Sequence, residues 1–115
     1  MPPREPEQLG PLDAVAFLVE LVMLGLLVWA GHLLADGWRG WLLGVGFAAV
    51  AIAIWARWMA PRSTLRLPNP ARLAFETALF GLTGILLAMG GQPWWGAGFA
   101  VVATAVFASR VPNDP

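Results

Sequence analysis

Two glutamates, Glu20 and Glu76, stand inside long apolar stretches of this 115-residue chain. An ionised carboxylate in the hydrocarbon of a bilayer is costly unless it is paired, hydrated or protonated. Two roles fit such acids. They fix the register of packed helices through pairing with arginines, or one of them faces a cavity and binds protons or cations in exchange. The pattern favours the first role, because arginines stand at matching depths.

Three arginines are candidate ion-pair partners of these acids. Arg57 ends the second apolar stretch and Arg110 follows the fourth, so Glu20 with Arg57 and Glu76 with Arg110 form two related pairs. Arg72 stands four residues before Glu76, and helix geometry allows that pair as well. The sequence leaves these pairings open.

Four apolar stretches must position the charged residues, and they predict helices at about residues 12–34, 41–59, 71–89 and 94–108. Hydrophobic residues make up 58% of the chain and charged residues 12%. A helix crosses a ~30 Å hydrocarbon core with about 20 residues, so only the fourth stretch is short. None of the stretches has the polar stripe of a soluble bundle. We therefore expect an all-α integral membrane four-helix bundle over residues 12–110, between disordered cytoplasmic tails at 1–11 and 111–115.

The arginines also predict the orientation of the chain. Six of the seven lie at the termini or around the second connection, and Arg39 alone lies on the other side. Because cationic loops stay cytoplasmic, both termini are predicted inside a bacterial plasma (inner) membrane, with multiple passes and an uncleaved first helix. Arg62 and Arg66 form a candidate lipid-facing basic loop that attracts anionic lipid, unless it serves only as an orientation signal.

An internal repeat relates the two halves of the chain at a shift of 56 residues. The shift places Glu20 on Glu76 and Trp38 on Trp94, and it predicts two parallel helical hairpins with the same orientation. It also aligns two rows of small residues, which permit close helix packing in lipid. The second and fourth helices are therefore predicted to pack together through these rows, which comprise Gly40, Gly44, Ala48, Gly96, Ala100 and Thr104.

Residues near the predicted membrane boundaries have simpler interpretations. Tryptophans at both boundaries predict an aromatic belt without a ligand role. His32 is interpreted as an interface residue, and Asp36 and Arg39 as members of a short outer loop. Asp13 is expected to cap the first helix.

Several functional classes are disfavoured by what the sequence lacks. It has no cysteine, which excludes disulfides and thiolate metal sites. No nucleophile triad, glycine-rich phosphate loop or cluster of metal ligands is present, so neither enzymatic activity nor a cofactor is expected. A formal net charge of zero argues against binding nucleic acid.

Several segments of the chain resemble the YrdB-like family of small bacterial four-helix membrane proteins. They are residues 17–21 (FLVEL), 41–46 (WLLGVG), 60–62 (APR) and 72–81 (RLAFETALFG). The resemblance covers about residues 12–108 and departs from the family where Phe47 and Ala48 replace a frequent proline. It implies the fold and the membrane location, and no activity.

The sequence thus predicts a structural or accessory membrane subunit, which contacts the bilayer and either a membrane protein partner or further copies of itself. The alternative is a proton-coupled carrier of small molecules or cations that uses Glu20, similar to small multidrug transporters. The chain departs from those transporters in its second glutamate and in its uneven arginine distribution.

Overall fold

Four helices make up the computed structural model, which describes residues 10–60, 63–68 and 70–110. They are α1 (Pro11–Leu34), α2 (Gly37–Trp58), α3 (Ala71–Met89) and α4 (Pro93–Arg110). No strand occurs in the described ranges, which confirms the all-α, four-helix prediction. The predicted tails at 1–11 and 111–115 lie almost wholly outside these residues.

The first connection is shorter than predicted, because α2 begins at Gly37 and not at residue 41. Gly37 has a φ of +62°, a left-handed conformation that glycine adopts without steric cost and that lets the chain reverse after Leu34. Arg39 therefore lies in the first turn of α2, which corrects its assignment to the outer loop. Asp36 precedes the helix as its N-cap residue.

The turn between α3 and α4 uses the same device. Gly91 has a φ of +93°, and Pro93 follows as the first residue of α4, where its missing N–H leaves no helical hydrogen bond unmade. The backbone N–H of Gln92 donates to the carbonyl of Leu87 across this turn, at 2.8 Å. Two tight reversals therefore make two helical hairpins, α1–α2 and α3–α4.

Small residues bring the two helices of each hairpin into backbone contact. A Cβ added to Gly44 would collide with the backbone of Val28 on α1, and one added to Gly84 would lie 2.7 Å from the carbonyl oxygen of Gly96. Ala100 also lies against Gly84. The contacts of Gly44 with Val28 and of Ala100 with Gly84 are related by the 56-residue shift, so the hairpins use corresponding positions.

The predicted packing of α2 against α4 is wrong. These two helices make only sparse contact, and the small residues face the partner within each hairpin instead. Gly40, Gly44 and Gly96 are buried there, and Ala48, Ala100 and Thr104 are half-buried. A row of small residues permits close approach by any helix. The tight turns already hold each helix beside its neighbour in sequence, so the rows pack there.

The hairpins meet through α1 and α3, the two helices that carry the glutamates. α1 packs against all three other helices, whereas α2 makes only sparse contact with α3. The core between the hairpins contains Met23 and Leu27 of α1, Phe80 of α3 and Phe107 of α4. The fold therefore places both acid-bearing helices where the hairpins meet and leaves α2 and α3 in sparse contact.

Three of the helices, α1, α2 and α3, are long and apolar enough to cross a membrane. α4 is less apolar than the other three, because its glycines, its serine and its arginine lower the mean hydropathy of the helix. Large apolar side chains cover the outside of the protein, as a lipid environment allows, including Trp38, Trp41, Trp94 and Trp95 at the turn end.

Candidate functional site

A charged cavity of about 480 Å³ lies at the end of the bundle where α1 and α3 begin and α2 and α4 end. Its charged lining comprises three carboxylates and three guanidinium groups, contributed by Asp13, Glu20, Glu76, Arg66, Arg72 and Arg110. Consecutive helices run in opposite directions, so residues that are distant in sequence converge at this one end of the bundle.

Asp13 joins the start of α1 to the end of α4. One carboxylate oxygen, Oδ1, lies 3.1 Å from Arg110 Nη2, and the other, Oδ2, accepts a hydrogen bond from the backbone N–H of Gly10 at 2.9 Å. The second contact fits the predicted capping role. The first was not predicted, and it ties the two hairpins together.

Arg72 and Glu76 lie one helical turn apart and are both buried, with 2% and 9% of their surface exposed. Arg72 Nε is 4.0 Å from Glu76 Oε1, so the structure brings together the i, i+4 pair. Arg72 Nη1 also donates to the carbonyl oxygen of Leu67 at 3.4 Å. The guanidinium thus ties the second connection to the first turn of α3. Glu76 and Arg110, the other suggested pair, line the same cavity.

Glu20 faces the interior, where its carboxylate accepts a hydrogen bond from the Trp55 indole and interacts electrostatically with Arg110. The predicted Glu20–Arg57 pair is not found in the described part of the chain. Arg57 is exposed, and its guanidinium lies 5.3 Å from the ring centroid of Trp58. The side chain leaves the bundle because α2 ends there with that face toward the outside.

Arg66 was predicted to belong to a lipid-facing basic loop, and that role stays a prediction. The residue is half-buried, lines the charged cavity and donates from Nε to the carbonyl oxygen of Met59 at 3.3 Å. This hydrogen bond holds the side chain against the end of α2. Arg62 lies outside the described residues.

A second, apolar cavity of about 170 Å³ adjoins the charged one. Both cavities share Phe17, Glu20, Trp55, Met59 and Glu76. The apolar cavity is otherwise lined by hydrophobic side chains of all four helices, including Phe80 and Phe107. The repeat-related acids Glu20 and Glu76 therefore stand where a charged space meets an apolar one.

Two site residues escaped the sequence interpretation. Trp55 was assigned to the aromatic belt, yet it lines both cavities and contacts Glu20. Phe107 packs against Phe80, with ring centroids 4.9 Å apart. Spacing could have identified Phe107, since it lies four residues after Ala103 and both residues are buried on the same face of α4. Within the described ranges, no group of three or more acids or histidines is arranged to hold a metal ion.

His32, at the opposite end, is exposed and stacks on Trp41 with ring centroids 4.5 Å apart. This placement fits an interface residue.

Residues 14–104 match DUF2568, a family of proteins of unknown function. No curated protein matches the chain, and no solved structure does. The matched region contains α2 and α3 whole, α1 from residue 14 and α4 up to residue 104, and both glutamates lie inside it. The chain therefore belongs to the DUF2568 family.

Proposed function

We propose that this protein is a multi-pass membrane protein of the bacterial plasma membrane that acts as a structural or accessory subunit and catalyses no reaction. The observation that carries the proposal is the charged cavity, in which three acids and three arginines gather at one end of the bundle. Opposite charges in equal number stabilise one another there, so the cavity fixes how the hairpins meet.

Orientation forms part of the proposal. The charged end carries Arg57, Arg66, Arg72 and Arg110, and the positive-inside rule places that end in the cytoplasm with both termini. The turns at the other end are too short to enclose a catalytic site. The finer resemblance to YrdB-like proteins agrees with a small bacterial membrane protein of this kind.

Purification in mild detergent tests the accessory role. A subunit should co-purify with the same membrane partner, or with further copies of itself, in a fixed ratio. It should keep that ratio when Asp13→Asn is combined with Arg110→Gln, because the double change removes both charges of one contact together. A chain that elutes alone under every mild condition contradicts the proposal.

A second candidate function is supported by the position of the glutamates. Glu20 and Glu76 line a cavity that the side chains leave open, as a proton-coupled carrier of small molecules or cations requires. The test is flux in liposomes with an imposed proton gradient. A carrier should lose proton-coupled flux with Glu20→Gln alone, whereas an accessory subunit gives no flux before or after the change.

A further inference from the structure

The apolar cavity is large enough for a small organic molecule. At about 170 Å³ it compares with cavities of about 150 Å³ that bind benzene in other proteins. Aromatic rings form much of its wall: Phe17 from α1, Trp55 from α2, Phe80 from α3 and Phe107 from α4. Such walls suit an aromatic or branched alkyl group.

The charged residues around the cavity determine whether it favours a cationic or an anionic ligand. Of the six charged groups around the charged cavity, only the two carboxylates, Glu20 and Glu76, also line the apolar one. The three arginines do not reach it. A ligand in the apolar cavity therefore has aromatic faces around it and the carboxylates of Glu20 and Glu76 at its border with the charged cavity, and both attract a cation.

Glu20 is the better placed of the two acids. Glu76 is held next to Arg72 within its own helix, with Nε and Oε1 4.0 Å apart. Glu20 interacts with Arg110, but that guanidinium is shared with Asp13, 3.1 Å away. The Trp55 indole hydrogen bond orients the Glu20 carboxylate.

The cavity also has an entrance. It lies beside two exposed lining residues, Leu21 of α1 and Ile52 of α2, whose exposed fractions are 47% and 50%. A molecule dissolved in the membrane reaches the cavity past these two side chains without crossing the charged end.

We propose that the apolar cavity binds an organic monocation with an aromatic or branched alkyl body, with Glu20 as its counter-charge. Transport of such a cation rests on the carrier function above, whereas binding does not.

Equilibrium dialysis of radiolabelled benzyltrimethylammonium against the full chain in nanodiscs tests the site, with empty nanodiscs as the blank. This probe keeps its charge at every pH. We expect saturable binding of one probe per chain, at least tenfold weaker with Glu20→Gln. Asp36→Asn is the matched control at an exposed acid and should bind like wild type. Benzenesulfonate, an anion of similar size, should not bind.

A second pair of variants tests the location. Ala51 is buried and lines the cavity, so Ala51→Phe should fill it and abolish binding, whereas Ala53→Phe on the exposed face of α2 should not. If Ala51→Phe fails to fold by circular dichroism, Ile52→Trp at the entrance takes its place.

Four results overturn the proposal: no saturable binding above the blank, binding unchanged by Glu20→Gln, binding unchanged by the filling variant, or equal binding of benzenesulfonate. Saturable binding without proton-coupled flux leaves the site in place and removes the carrier function alone.

Discussion

Burial separates the arginines of this protein into those that hold the fold and those that do not. Arg72 is almost fully buried and Arg110 is half-buried, and both contact carboxylates, whereas Arg57 is exposed beside an indole ring. A charge-assisted contact shielded from solvent contributes more than an exposed one. These residues therefore support different predictions about stability.

Removing the link between the hairpins should be measurable. Arg110→Gln should lower the free energy of unfolding by about 1–3 kcal/mol, since it removes a hydrogen bond between charged groups whose side chains are only 20% and 25% exposed. The measurement is unfolding in mixed micelles with increasing sodium dodecyl sulfate. Asp13→Asn and the double variant complete a cycle whose coupling energy should be about 1 kcal/mol or more.

Arg57→Gln is the matched control for this cycle. Because Arg57 is exposed, its loss should change stability by less than about 0.5 kcal/mol. A coupling energy near zero would mean that Asp13 and Arg110 do not join the hairpins.

The Arg72–Glu76 contact predicts a larger effect. Glu76→Gln leaves the buried Arg72 cation without that carboxylate, and breaking a buried pair from one side costs about 3–5 kcal/mol. Combining Arg72→Met with Glu76→Gln should recover part of the loss, as the buried cation is then gone as well. The same unfolding assay checks both variants, and a double variant less stable than Glu76→Gln contradicts the pairing.

At the scale of elements, the hairpins show what helix periodicity can and cannot predict. The rows of small residues were recognised, as were helix bounds within a few residues of those observed for α1, α3 and α4. The helix against which each row packs was not recognised, because a small residue permits close approach by any backbone and does not specify which helix approaches. The tight turn at Gly37 made the choice, because it holds α2 alongside α1.

Glycine contacts therefore predict opposite outcomes at neighbouring positions. Gly44→Ala places a Cβ against the backbone of Val28, so it should push α2 away from α1 and cost about 1–3 kcal/mol. Gly46→Ala meets nothing within 4 Å and should be neutral or slightly stabilising, because alanine favours helix more than glycine does. Thermal unfolding in detergent, followed by circular dichroism, measures both. Equal melting temperatures would show that α1 and α2 do not touch at Gly44.

At the scale of the whole molecule, the candidate site depends on which helices are central. The sequence identified both glutamates, Arg72 and Arg110, because charged residues are conspicuous in apolar segments. It did not identify the cavities, which are gaps walled by side chains of all four helices. Such a gap depends on the relative placement of the hairpins, and a contact of Asp13 with a residue 97 positions away has no local pattern.

The orientation of the whole chain supplies the last prediction, and the lack of cysteine makes it simple to measure. Single cysteines are introduced by Asp36→Cys, Leu65→Cys and Ser109→Cys, at exposed positions of the first turn, the second connection and the end of α4. With the arginine-rich end inside, a membrane-impermeant maleimide should label Asp36→Cys in intact cells. It should label the other two variants only after permeabilisation.

Ser109→Cys is the decisive position, because α4 is less apolar than the other three helices. Labelling with the same pattern as Leu65→Cys means that α4 crosses the bilayer, with α3 covering its less apolar face. Labelling in intact cells means instead that α4 does not cross the bilayer and that its last residues lie on the outer side. The Asp13–Arg110 contact could not then form, since its two ends would lie on opposite sides of the membrane.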